Sequence, residues 1–271
     1  MNEYLKPDYE RYVPVFGDIH GNLEGLVNTV KYLQKKYNKK FNFVFQLGDF
    51  GYFPFGFCGE KIRGDLELGV HRYFTDQKVA EKYLNDDRIQ FRIIFIRGNH
   101  EDQETLEKLC LSHPEGLISL DKKGFVNFLP DGRALSIPYN QGDVSIAAYG
   151  GVDKNTGPKI SESNNMSEFN NSALQILLGF SNYLNILLTH QGPKESKKGS
   201  ENINVLYQLI NPRLGIHGHS HVFSHQGLIS STNSCSLGKM PLEKNPFVKS
   251  RDFYGFIDLK KIKLSTTIES P

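Results

Sequence analysis

The chain has 271 residues, enough for one large domain with a well-buried core, and its 38% hydrophobic content with 25 glycines describes an ordered, loop-rich globule. A formal net charge of +2 sets up no strong field, so composition points to neither nucleic acid nor a membrane surface. No apolar run reaches the length of a membrane span, the start Met1-Asn2-Glu3-Tyr4-Leu5-Lys6-Pro7 lacks a secretory core, and Cys58, Cys110 and Cys235 are widely spaced, as expected of reduced thiols in a cytoplasmic protein.

From the N-terminal side, Val13 to Phe16 is a short apolar run ending at Gly17-Asp18-Ile19-His20-Gly21-Asn22. Leu23, Leu26, Val27, Val30 and Leu33 then mark a helical stripe with Asn22 as its N-cap. Lys35, Lys36, Lys39 and Lys40 suit the end of that helix better than a binding patch. Phe41 to Leu47 reads as a strand that stops at Gly48-Asp49-Phe50-Gly51. A Gly/Phe-rich turn follows, and Val70 to Leu84 has helical character. Ile93 to Ile96 runs into Gly98-Asn99-His100-Glu101, and a short helix is expected over Glu104 to Leu111. Asp143 to Tyr149 alternates as a strand and turns at Gly150-Gly151. A helix over Ala173 to Phe180 leads to the strand Leu184 to Leu188, which ends at Thr189-His190-Gln191-Gly192. After a helix over Ile203 to Ile210 comes Gly218-His219-Ser220-His221, then short strands and turns, with a late strand over Phe253 to Leu259. A single domain over 1–271 is expected, with insertions at 53–84, 154–172 and 194–202; the first and last begin just after a motif and could rim a site.

Short apolar runs bounded by glycine read as buried strands, so these motifs sit at strand C-terminal ends, where α/β sheets collect ligands. Neutral imidazoles beside carboxylates and an amide oxygen are the donor mixture for borderline divalent metals. There are too many donors for one ion and about enough for two. Asp18 and His20 alternate across Ile19, and His219 and His221 alternate across Ser220, so each pair can face one point. His217 is out of phase and belongs behind the ligands or at the surface. Arg97 either braces the third motif in an ion pair or reaches phosphate. Lys194, Lys197 and Lys198 are a mobile surface loop or a second phosphate contact. The aromatics Phe50, Tyr52, Phe53, Phe55 and Phe57 are local core or a stacking platform for a base.

The ordered set Asp18-x-His20, Gly48-Asp49, Gly98-Asn99-His100-Glu101, His190 and Gly218-His219-Ser220-His221 resembles the calcineurin-like metallophosphoesterase superfamily over roughly positions 13 to 223. The resemblance implies an α/β fold, a four-layer α/β/β/α sandwich of two mixed β-sheets with a dinuclear metal site at the strand ends. Two divalent ions (Mn, Fe, Zn or similar) are the implied cofactors. One would take Asp18, His20, Asp49 and His221; the other Asp49, Asn99, His190 and His219, with Asp49 bridging. His100 would stand beside the substrate as general acid, with Glu101 orienting it. The implied reaction is hydrolysis of phosphate esters by a metal-bridged hydroxide.

Departures from the family narrow the substrate. Protein Ser/Thr phosphatases continue their second motif into Asp-Arg-Gly, whereas here Gly51 is followed by Tyr52-Phe53-Pro54. Gly48-Asp49-Phe50 and Gly150-Gly151 are loosely similar to RNA lariat-debranching enzymes. The expected partner is therefore a phosphodiester or nucleotide, nucleic acid included, and no membrane. Phosphomonoesterase and phosphoprotein phosphatase are the alternatives. A catalytically inactive scaffold is disfavoured because all the ligands and His100 are present.

Overall fold

A computed structural model describes residues 11–55, 69–139, 142–153, 170–242 and 252–267. Its strands form two mixed sheets. In the first, β1 (Tyr12–Phe16), β2 (Phe43–Gln46), β3 (Arg92–Phe95) and β5 (Val126–Phe128) run parallel side by side. Antiparallel β4 (Ile118–Ser119) closes one edge, and β12 (Tyr254–Asp258) with β13 (Lys263–Ser265) closes the other. The second sheet has a parallel centre of β7 (Gly142–Tyr149), β8 (Ile186–Thr189), β9 (Leu214–His217) and β11 (Thr232–Ser236). Antiparallel β6 (Ala134–Tyr139) and β10 (Ser224–Ile229) flank it.

The alternation of side chains along each strand explains the layers. On β1, Val13 and Val15 face the inter-sheet core while Tyr12 and Phe16 face the opposite side; β3 does the same with Ile94 against Ile93 and Phe95. On the second sheet, Ile186 and Leu188 of β8 meet that shared core and Leu187 faces outward. Helices cover both outer faces. α1 (Leu23–Tyr37), α2 (Val70–Thr75), α3 (Gln77–Leu84) and α4 (Gln103–Ser112) flank the first sheet, and Leu23, Leu26, Val70, Tyr83 and Leu106 enter its outer core. α5 (Asn171–Leu178) and α6 (Glu201–Ile210) cover the second through Leu177, Ile203, Leu206 and Tyr207. This is the expected four-layer α/β/β/α sandwich.

Several expectations are refined. The helix expected over Val70 to Leu84 is two helices, because Asp76 is extended (φ −125°, ψ 109°) and its carboxylate caps the second through Lys78 and Val79 N–H. Strands β4, β5 and β6 were not anticipated. The loop at 194–202 is tied down: Asn204 accepts from Lys194 N–H and donates to the Glu195 carboxylate, and α6 already begins at Glu201. Residues 154–169 of the second expected insertion, and 56–68 of the first with Phe57 and Cys58, lie outside the described residues. Cys110 and Cys235 are free thiols. Among the described residues no helix is long and apolar enough to cross a membrane.

Candidate metal centre

Five parallel strands, β1, β2 and β3 of one sheet and β8 and β9 of the other, deliver their C-terminal loops to one place. Asp18, His20, Asp49 and His221 have ligand atoms within 4.8 Å of one another, and so do Asp49, His190 and His219. The clusters share Asp49, whose two oxygens divide between them: Oδ2 is 3.6 Å from His20 Nε2 and Oδ1 is 3.2 Å from His190 Nε2. On the first side, His221 Nε2 lies 3.0 Å from Asp18 Oδ2 and 3.4 Å from His20 Nε2. On the second, Asn99 Oδ1 is 3.0 Å from His190 Nε2. Seven side chains expected as ligands are thus gathered in one double cluster.

The loops are built for close approach. A Cβ at Gly98 would fall 2.4 Å from Asp49 Oδ1, and one at Gly218 would fall 2.2 Å from Asp18 Oδ1. His20, Asp49, His219 and His221 take φ of 44°, 53°, 58° and 58°, a region that non-glycine residues enter rarely and that clusters at functional sites. The carboxylates that turn toward the clusters are also anchored. Asp49 Oδ1 accepts from Asn99 and His100 N–H, both at 2.9 Å, and Asp18 Oδ1 accepts from His219 N–H at 2.9 Å.

The donor chemistry fits divalent metal. His190 Nδ1 donates to the Leu47 carbonyl at 2.8 Å, so the neutral ring turns its Nε2 lone pair toward Asn99 Oδ1 and Asp49 Oδ1. With the ring neutral, His190 Nε2, Asn99 Oδ1 and Asp49 Oδ1 face one another as acceptors, an arrangement that suits a cation. Both ring nitrogens of His219 are buried without a hydrogen-bond partner among the described residues. An orphaned buried polar group costs about 1–3 kcal/mol, so the ring needs something else to bind. Burial, and after it the neighbouring His190 imidazole, lowers the His219 pKa to about 3, which keeps the imidazole in its ligand form. Burial pushes the Asp49 carboxyl up, but His190, His100, His20 and His219 outweigh it and hold the group well below the usual range. The same opposition, with His221 the largest counterweight, leaves Asp18 lowered.

His100 stands at the rim, its ring edge-on to His20 with centroids 4.8 Å apart. Glu101 is buried, and its two oxygens accept from Phe50 N–H at 2.6 Å and Gly98 N–H at 2.9 Å, so it ties the second motif to the third. Burial, with the nearby Asp49 charge, raises its pKa to about 8. His217 is fully buried behind the ligands, not on the surface; its Nε2 is 3.3 Å from Gln226 Oε1, and burial lowers its pKa to about 4. Arg97 takes the structural alternative, bound to Asp131 at 2.6 Å. Lys194 pairs with Glu201 at the surface, 2.8 Å away. Phe50, Tyr52 and Phe53 are core, while Phe55 is exposed.

Two contributors escaped the sequence reading. Gln46, a buried amide within an apolar strand, donates to Gly17 O at 3.1 Å and accepts from Gly48 N–H at 3.2 Å, coupling the first two motif loops. Its only signal is a polar residue where a buried strand should be apolar. Asp131 gave none beyond ordinary turn chemistry in Pro130-Asp131-Gly132.

The sequence profile of calcineurin-like phosphoesterases matches residues 13–223, most of the chain. The chain belongs to the calcineurin-like phosphoesterase family. One solved crystal structure aligns over 94% of this chain and 97% of its own at 14% identity, with a TM-score of 0.53, a likeness of fold. GAP50, the anchor in the inner membrane complex of Plasmodium, aligns over 84% of this chain and 71% of its own at 11% identity and a TM-score of 0.46; at that distance nothing transfers. No curated protein matches the chain significantly. Membership and the double cluster together describe a member of this family with candidate ligands for a dinuclear metal site.

Proposed function

We propose that this calcineurin-like phosphoesterase hydrolyses phosphodiesters or nucleotides with two divalent ions, manganese among those the donors accept. The observation that carries this reading is Asp49, which presents one oxygen to each cluster. Asp18, His20, Asp49 and His221 would hold the first ion; Asp49, Asn99, His190 and His219 would hold the second. When bound, such a pair lowers the pKa of a coordinated water and neutralises charge on the phosphoryl oxygens.

The chain's own residues supply the rest. His100, partly exposed beside His20, is placed to give a proton to the leaving alkoxide. Its backbone N–H, on Asp49 Oδ1, fixes the ring's origin relative to the bridging carboxylate. Glu101 positions rather than reacts: by binding Phe50 and Gly98 N–H it keeps two motif loops in register. The preference for a diester rests on charge. Tyr52, after Gly51, is core, and the Arg97 guanidinium is neutralised by Asp131, so neither position offers a cation to a dianionic monoester. The free thiols of Cys110 and Cys235 support a reducing, cytoplasmic setting.

The test is hydrolysis of a chromogenic phosphodiester beside the corresponding phosphomonoester, with Mn²⁺ supplied. Preferential diester cleavage is expected. Monoester preference would move the assignment to a phosphatase, and no turnover of either would revive the inactive scaffold.

A further inference from the structure

The third motif is fastened to the other half of the molecule by a joint at Arg97. Arg97, next to Gly98, sends Nε and Nη2 to Asp131 Oδ2 at 2.9 and 2.6 Å. The other Asp131 oxygen accepts from Gly150 N–H at 2.7 Å. Gly150 directly follows β7 of the second sheet, while Arg97 lies just beyond β3 of the first. The contact is tight: a Cβ on Gly150 would fall 2.2 Å from Arg97 O, and Gly151 N–H donates to that same oxygen at 3.0 Å. Gln103 completes it, accepting from Arg97 Nη1 at 3.3 Å and donating to Gly98 O at 2.9 Å. The ion pair is nearly solvent-free, with side-chain exposures of 9% and 5%, so its partners are fixed in geometry and poorly screened.

From these contacts we propose that Asp131 is a positioning residue for the second ion. It lies outside every motif and donates nothing to the clusters. Through Arg97 and Gly150 it sets where Gly98-Asn99-His100 stands relative to β8 and β9. That segment carries Asn99 Oδ1 and the two N–H groups that hold Asp49 Oδ1, all belonging to the second cluster. Asp18, His20 and His221 of the first cluster come from loops the joint does not touch. Loosening the joint should therefore weaken the second ion more than the first, which shares only Asp49 with that segment. In Asp131→Asn an N–H₂ replaces an acceptor, facing either the guanidinium or the Gly150 N–H.

This inference rests on the dinuclear reading, and two readouts separate their failures. Mn²⁺ titration calorimetry of the wild type and Asp131→Asn should show two ions in both, one losing roughly 10–100-fold in affinity in the variant and the other changing much less. Amide exchange, followed without metal, should show residues 98–101 losing protection while β1 and β2 keep theirs. Arg97→Lys, which keeps the charge but loses the planar fork, should repeat both effects and serves if Asp131→Asn does not fold. Equal weakening of both ions, or unchanged binding with unchanged exchange, overturns the proposal. If the wild type binds no ion the metal reading fails, and exchange alone decides: retained protection in the variants refutes positioning and selective loss supports it.

Discussion

His100 and Asp49 are hydrogen-bonded neighbours that should control different things. His100 touches the cluster through its backbone N–H on Asp49 Oδ1 and through the edge of its ring on His20. Replacing it with Asn leaves the ligand set intact and removes the proton donor. Turnover of a diester should fall by about 10²–10⁴-fold at unchanged metal content. Full activity in His100→Asn would remove it from the mechanism. Asp49→Asn should lower metal content and turnover together, because one of the two oxygens shared between the clusters becomes an N–H₂ donor. Most of this was legible in the sequence, since strand-end glycines beside Asp, Asn and His require little three-dimensional information. What was hidden is the support: Glu101 also binds Phe50 and Gly98 N–H, joining two motif loops, and Asp131 had only ordinary turn chemistry to mark it.

At the scale of elements, the pattern of burial decides what sequence could show. Strands β1, β2, β3 and β8 are largely apolar runs buried on both faces, which stand out from their surroundings. Strands β4 and β5, of two and three residues, are too short for alternation to register. Strand β6 alternates Leu135 and Ile137 inward, but Pro138 argues against a strand unless it lies at an edge, and an edge is where the sheet puts it. The break between α2 and α3 was hidden by apolar spacing that continues through it. Asp76 makes that break, so Asp76→Ala should cost about 1 kcal/mol of stability, read from denaturant unfolding, with turnover unaffected. An unchanged midpoint would mean that the α2–α3 corner is set by packing of Val70, Tyr73 and Tyr83 rather than by the cap.

Across the whole molecule, β12 is drawn from far along the chain to pair with β1, which carries the first motif. Asp258 fastens it there by accepting from Arg11 Nε at 3.0 Å and Nη2 at 2.8 Å. Burial raises this carboxyl, and Arg11 with the Lys260 and Lys261 N–H groups more than offsets that, leaving it below its ordinary 3.8. A folded pKa below the unfolded one gives stability that is present at neutral pH and lost as pH falls through the folded value. Asp258→Asn should therefore unfold more easily than wild type at pH 7, with the gap narrowing under strongly acidic conditions. A gap independent of pH would assign the effect to packing. In the proposed reading, the sandwich brings two ligand sets together around Asp49 so that two ions would act on one phosphate ester. The most direct test of that reading is diester turnover followed against the number of Mn²⁺ ions bound per chain. Turnover should stay near background with the first ion and rise as the second binds. Full turnover with one ion, or none with two, would contradict it.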